Sequence, residues 1–403
     1  MSKGSKGAVT RAAGFLAAGV ACGLKRSGKR DLALVHCPGG ATAAAMFTTN
    51  RIVSAAVEIA RRHVQSGRIC GVVINSGNAN ACTGQKGIND ALTMCRTAAR
   101  HIGADTHEVL VASTGIIGHP LPIARVKAGI AAAAGELSAS AAAGHNFARA
   151  IMTTDTRCKE AVKTVRISGK QVTIGGTAKG AGMIGPNMAT TISVITTDAA
   201  ISAGMLKKAM AAAVGESLNR LTVDGHQSTN DTAIVLASGA AENPIIERDC
   251  PRYRAFAAAL KAVCDDLTRQ MALDAEGATR MFKVVVTAAA SQAEAARAAR
   301  AVADYDLVKC AVHGGDPNWG RIICAVGSCG VRLDPQKLAC KINNTTVFSK
   351  GRPIKFDRAK VSSMIRRQEH TITVHLGVGT HTDFCYGCDL SREYVTINAD
   401  YHT

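Results

Sequence analysis

The sequence predicts an α/β protein in which sheets are layered between helices. Apolar, β-branched runs alternate along the chain with alanine-rich helical patterns, the mark of layered α/β architecture. Hydrophobic residues make up 47% of the 403 positions, enough for a sizeable core and too much for a disordered chain. Aromatics are only 3% while glycines number 39, so the core is expected to be built from small and β-branched side chains with backbones packed closely. A chain of this length exceeds one comfortable core, so two domains or one large layered domain are expected.

In chain order, the strand-like runs fall at residues 68–74, 108–112, 171–174, 191–197, 233–237 and 283–288. Helical patterns occupy 89–101, 123–135, 203–215, 252–270 and 292–302. Residues 162–167, then Ser168-Gly169-Lys170, then 171–174 read as a β-hairpin. Four Gly-, Asn- and Asp-rich segments read as loops too elaborate for mere connection: 75–80, 175–187, 224–231 and 313–320. Such loops on a rigid scaffold tend to carry function, although tight turns between strands explain any one of them as well.

Composition excludes several classes. No stretch reaches the roughly 18 uninterrupted apolar residues of a membrane helix. The charge is lopsided, Lys+Arg 48 against Asp+Glu 30, or +18. That favours anionic partners without choosing among nucleic acid, lipid and small carboxylates. The basic residues are scattered, with only short clusters such as Lys25-Arg26 with Lys29-Arg30 and Arg366-Arg367. They lack interleaved aromatics and any groove-reading motif, so no nucleic-acid partner is expected. The 14 cysteines are read as reduced thiols, with Cys70, Cys82, Cys310 and Cys324 expected to be buried. Cys385-Tyr-Gly-Cys388 has no second pair at metal-site spacing, so no metal is expected.

Three motifs are decoys. The basic N-terminus and the apolar run ending at Cys22 imitate an export signal, but Gly14 and Gly19 interrupt it. Gly23-Leu-Lys-Arg-Ser-Gly28-Lys29 begins like a phosphate-binding loop, yet Arg30 stands where a hydroxyl would hold magnesium. Gly180-Ala-Gly182-Met-Ile-Gly185 spells a dinucleotide fingerprint, but Pro186 and a β-branched run follow it rather than a helix.

No G-x-S-x-G elbow and no H-E-x-x-H pair is present. A hydroxyl nucleophile that needs no histidine remains. Were the bond before Thr190 cut, its hydroxyl would lie beside its own new α-amino group. With a reference pKa of about 7.7–8.0, that amine is suited to general-base work near neutrality. From the residues alone, however, a Thr pair at a strand start is explained by β-propensity.

Longer motifs decide the matter. Lys179-Gly-Ala-Gly-Met183-Ile-Gly-Pro-Asn187-Met-Ala189-Thr190, running on to Ile195-Thr-Thr-Asp198-Ala, resembles the signature of the ornithine acetyltransferase (glutamate N-acetyltransferase) family. Phe47-Thr-Thr-Asn-Arg51, Asn75-Ser-Gly-Asn-Ala-Asn80, Ser113-Thr-Gly-Ile-Ile-Gly118, Met152-Thr-Thr-Asp-Thr156, Gly315-Asp-Pro-Asn-Trp-Gly-Arg321 and Glu393-Tyr-Val-Thr-Ile-Asn398-Ala-Asp-Tyr401 resemble it too, in the family's order. Gly14–Gly23 is also similar to that family, which returns the N-terminal apolar run to the fold and removes the export reading.

The resemblance implies an αββα-type enzyme with an N-terminal nucleophile, made by self-cleavage between Ala189 and Thr190. A main catalytic region would span residues 1–280, and a smaller C-terminal α/β domain, 281–403, would complete the substrate site. Thr190 would carry the acetyl group of N-acetylornithine as an ester and pass it to glutamate in ping-pong order. Thr114 and Gly115 match the family's oxyanion hole. Substrate-contacting positions fall on Thr153, Lys179, Thr190, Glu276, Asn398 and Thr403. Lys179 is suited to a substrate carboxylate and Glu276 to a substrate ammonium, with surface ion pairing as the alternative for either. No cofactor is implied; acetyl-CoA is a second acetyl donor in some members only, and nothing in this sequence decides that. The family also implies a cytoplasmic α2β2 heterotetramer. The rival reading is a self-processing aminopeptidase or amidase, though such enzymes usually carry Ser at the cleavage point. Departures from the family pattern are Ala12-Ala13, Arg157-Cys158 and His226-Gln227; the last two lie close in sequence to substrate motifs and bear on substrate preference.

Overall fold

The computed structural model describes residues 7–185 and 191–400. Ala189, Thr190 and Thr403, singled out above, lie outside the described residues. The chain first lays down β1 (Leu16–Val20), β2 (Leu32–Phe47), α1 (Ala55–His63), β3 (Ile69–Asn78), α2 (Gly84–Ile102), β4 (Val109–Ile116), α3 (Ile123–Gly135) and α4 (Ala141–Ile151). It continues with β5 (Lys159–Ile167), β6 (Lys170–Lys179), β7 (Ile192–Thr197), α5 (Ala203–Gly215), β8 (Thr232–Ala237) and α6 (Pro251–Leu273). The remainder comprises β9 (Met281–Ala289), α7 (Gln292–Asp304), α8 (Asp306–Gly314), α9 (Trp319–Ser328), β10 (Ala339–Ile342) and β11 (Thr345–Ser349). It ends with β12 (Arg352–Pro353), α10 (Arg358–Ile365), β13 (Glu369–His375), β14 (His381–Cys388) and α11 (Arg392–Asp400).

Strands β1–β8 form one sheet in the order β4-β3-β2-β8-β7-β6-β5, with β1 on β2. It folds back on itself because β2 has a bulge between His36 and Ala41: its first part pairs with β1 and β3, its last with β8. Alternation of side chains then separates three cores. Val72 and Ile74 of β3 meet Ile234 and Leu236 of β8 in the core between the two halves. Val73 turns the other way, toward Met94 of α2 and Ile130 of α3. Ala233 and Val235 turn toward Met210 of α5 and Leu260 of α6. Helices, sheet, sheet, helices: the predicted αββα layering is what the alternation builds. The second sheet, β12-β11-β10-β13-β9-β14, uses only strands from Met281 onward and buries its face against α7, α9 and α10.

The hairpin is present, with Ile167 opposite Lys170 and a two-residue turn. Ser168 and Gly169 both take positive φ, 51° and 82°, as a type I′ turn requires. Two expectations are corrected. β6 runs on to Lys179 rather than ending near residue 174; Gly175 was read as loop, but a Cβ there would lie 1.9 Å from the Ala8 carbonyl oxygen. It is a glycine of close approach inside a strand. Among the cysteines all 14 are free, but Cys82, Cys310 and Cys324 are exposed, not buried like Cys70. The N-terminal apolar run is β1, buried against α4 and β2.

Candidate functional site

The predicted residues that fall among the described ones converge. Thr114, Gly115, Thr153, Lys179, Glu276 and Asn398 line one cleft of about 610 Å³. They arrive from separate elements: the end of β4, the α4–β5 loop, the end of β6, the α6–β9 loop and α11.

The β4 end is held by the segment at residues 75–80. Parallel pairing sets Gly77 beside Gly115, and Asn75 Oδ1 accepts from Ser113 Oγ at 2.6 Å. Asn230 Nδ2 donates to the Ser113 and Ala79 carbonyls, both at 2.7 Å, tying β4 to the loop before β8. Gly115 has φ 134°, and a Cβ would lie 2.3 Å from the Gly77 carbonyl carbon, so only glycine fits.

Lys179 is 2% exposed, which excludes a surface ion pair. Its Nζ donates to Thr114 Oγ1 at 2.9 Å. The Thr114 hydroxyl therefore receives a proton donor at its oxygen while its own O–H remains a donor. Burial lowers the Lys179 pKa; Asp155, Asp231 and Glu276 oppose that, and Lys159 adds to it. Glu276 lies against the Gly180–Gly185 segment, its N–H donating to the Ala181 carbonyl at 2.9 Å. Asn398 Nδ2 donates to Glu276 Oε2 at 3.0 Å. A positive and a negative side chain thus share one cleft, an arrangement that suits an amphoteric ligand.

Lys179 pairs across the sheet with Ile192, two positions after Thr190 in the chain. Thr191 N–H donates to Asp231 Oδ1 at 3.0 Å. Burial pushes the Asp231 carboxyl well above the usual range, despite the opposing Lys179 charge.

Sequence reading missed Ser228 and Asn230, which also line the cleft, and Asp155 and Asp231, which stand behind it. Ser228, Asn230 and Asp231 lie in the 224–231 loop, whose composition marks it as a functional loop without telling which side chains face the cleft. Among the described residues no cluster of His, Cys, Asp and Glu is arranged to hold a metal ion. The Asp31 carboxylate accepts from the N–H groups of Cys22, Leu24 and Lys25 at 2.7, 2.7 and 2.9 Å. The Leu24 and Lys25 amides of the phosphate-loop look-alike are therefore already committed.

The family model described as the ArgJ family matches residues 16–403. The chain belongs to the ArgJ family. It is 45% identical over 399 residues to the arginine biosynthesis bifunctional protein ArgJ of Symbiobacterium thermophilum, covering 98% of this chain and 99% of that protein. It is 41% identical over 404 residues to the protein of the same name from Bacillus cereus, covering 100% and 98%. Among solved structures it is similar to the arginine biosynthesis bifunctional protein argJ of Bacillus halodurans, with TM-score 0.50 and 40% identity. That match covers 51% of this chain and 97% of that one. Neither departure from the ArgJ-family pattern near a substrate motif lines the cleft: His226 is exposed, and Arg157 lies outside against Asp274, Nε to Oδ1 3.6 Å.

Proposed function

We propose that the chain is an acyltransferase of arginine biosynthesis that moves the acetyl group of N-acetylornithine to glutamate, after cutting itself between Ala189 and Thr190. What carries the reading is the convergence of Thr114, Gly115, Thr153, Lys179, Glu276 and Asn398, far apart in sequence, on one cleft. The solved Bacillus halodurans chain offers support of another kind: nearly all of it corresponds to about half of this chain, as one of two segments would.

The Thr190 hydroxyl attacks the acetyl carbonyl while its own amine takes the proton. Negative charge develops on the carbonyl oxygen, and the Thr114 hydroxyl with the Gly115 backbone N–H meets it. Lys179 behind Thr114 strengthens that donor, since a hydrogen bond whose acceptor is itself a donor is polarised. The C–N bond breaks, the amine's proton leaves with ornithine, and Thr190 holds the acetyl group as an ester. Glutamate then attacks the ester by the reverse course. Glu276, steadied by Asn398, receives a substrate ammonium; Thr153 lines the same pocket, and Thr403 is assigned to substrate on the family's pattern alone. No resident cofactor takes part, and acetyl-CoA enters only as an alternative donor. The active form is a cytoplasmic α2β2 assembly.

The test is a product balance. Purified enzyme given N-acetylornithine and glutamate is expected to form N-acetylglutamate and ornithine in equal amounts. Free acetate in place of N-acetylglutamate would mean that water is the acceptor, and the amidase reading would replace this one.

A further inference from the structure

Behind the cleft, several buried charges that the proposed chemistry does not use form a chain. The side chains of Asp155 and Lys159 are 0% exposed and ion-paired with each other. Lys159 Nζ also lies 2.5 Å from Asp274 Oδ2, and Asp274 in turn accepts from Thr156 N–H at 3.1 Å. Asp155 reaches the cleft through two backbone groups. Its Oδ2 accepts from Thr153 N–H at 2.9 Å and its Oδ1 from Gly180 N–H at 2.8 Å. Those amides flank the cleft residues Thr153 and Lys179. Asp155 itself does not line the cleft.

A buried ion pair is often no more stabilising than apolar residues of the same volume, so this one invites a functional account. We infer that Asp155 is a positioning residue of the acyl-transfer centre: one buried carboxylate fixes the backbone at Thr153 and at Gly180, the residue after Lys179, and so sets where the Lys179 ammonium meets the Thr114 hydroxyl. This rests on the acyltransferase reading and adds a buried chain, Asp274–Lys159–Asp155, tied through the Gly180 backbone to the Lys179 that donates to Thr114.

The electrostatics agree. Burial acts to raise the Asp155 pKa, but the charges of Lys159 and Lys179 prevail and hold it far below the usual carboxylate range. The groups facing Lys179 are Asp155 and Lys159 from the β5 side, Asp231 from the loop before β8 and Glu276 from the α6–β9 loop. Lys25 from the β1–β2 loop also feels its charge, and burial lowers the Lys25 pKa to about 8. Burial pushes Asp231 up while the neighbouring lysine charges hold Asp155 down, so the two buried carboxylates near Lys179 are shifted in opposite directions. Removing the Asp155 charge therefore favours loss of the Lys179 proton at lower pH.

The experiment compares pH profiles of acetyl transfer for wild type, Asp155→Asn and Asp155→Glu. Asp155→Asn is expected to move the alkaline limb of kcat down by about one pH unit or more. Its kcat is expected to fall by about tenfold or more, with KM for N-acetylornithine changed by less than about twofold. Asp155→Glu restores much of both. In a Lys179→Met background, Asp155→Asn costs little further activity, because the two act through one path. If Asp155→Asn does not fold, Asp155→Asn with Lys159→Met removes the pair together, and a smaller shift of the limb in the same direction is expected, because Lys159 itself acts to lower the Lys179 pKa. A uniform loss of activity with the limbs unmoved, or full additivity with Lys179→Met, overturns the inference. Wild type that transfers no acetyl group overturns the acyltransferase reading instead.

Discussion

At the scale of the residue, the Thr114 oxygen receives the Lys179 ammonium at the edge of the cleft, and the proposed mechanism asks its proton to meet the substrate. Thr114→Val keeps the shape and removes both. Acetyl transfer is expected to lose about 10²- to 10³-fold in kcat with KM little changed, read by steady-state kinetics. Gly115→Ala acts through the backbone instead, placing a methyl group against Gly77 at a φ of 134°. It is expected to lower both kcat and Tm, a strained position typically costing about 1–3 kcal/mol. The motifs made Thr114, Gly115 and Lys179 legible in the sequence. The direction in which Lys179 points was not. Sixty-odd residues separate it from Thr114, and only the layered sheet determines whether its ammonium meets a substrate carboxylate or a neighbouring hydroxyl.

At the scale of the element, legibility followed local chemistry. The Ser168-Gly169 turn and the helices Ile123–Gly135 and Ala203–Gly215 were evident because turn residues and alanine-rich periodicity act over a few positions. β2 was not evident: its latter part, Gly-Gly-Ala-Thr-Ala-Ala-Ala-Met-Phe, favours other conformations locally. It is a strand because β3 and β8 pair with it on either part of its length. α11 is another product of context, with no fully buried residue yet bringing Asn398 to Glu276. Asn398→Ala is expected to raise KM for N-acetylornithine severalfold, while the fold, read by circular dichroism, is unchanged. β13 carries a pH effect unrelated to catalysis. His370, 5% exposed and stacked on Phe282 at 5.7 Å, has no hydrogen-bond partner for either ring nitrogen among the described residues. Burial, aided by Arg280 and opposed by Asp389, lowers its pKa to about 4. The folded state therefore favours the neutral ring, and its stability is whole above the unfolded value of about 6.5 and declines as pH falls toward 4. His370→Phe is expected to flatten that decline by up to about 3 kcal/mol, measured as the difference in urea stability between neutral and acidic buffer.

At the scale of the molecule, the αββα layering explains why one site draws on such distant segments. β4 ends in one half of the folded sheet and β6 in the other, so Thr114 and Lys179 face each other across the core at the same end. α11, which follows the second sheet, adds Asn398 to that end. The interleaved strands and helices foretold layers, but which strand lies beside which is set by pairings distant in the chain, such as Thr42 with Ala237, and left no local trace. The surplus of 48 basic over 30 acidic residues fits carboxylate-bearing substrates without specifying them. The central claim concerns the one covalent event that would turn a folded chain into an enzyme. Intact-mass spectrometry of the purified wild type beside Thr190→Ala tests it directly. The account predicts two wild-type fragments meeting between Ala189 and Thr190, and a single full-length mass for the variant. A folded wild-type chain that stays uncut would contradict it and leave Thr190 without the amine on which the mechanism depends.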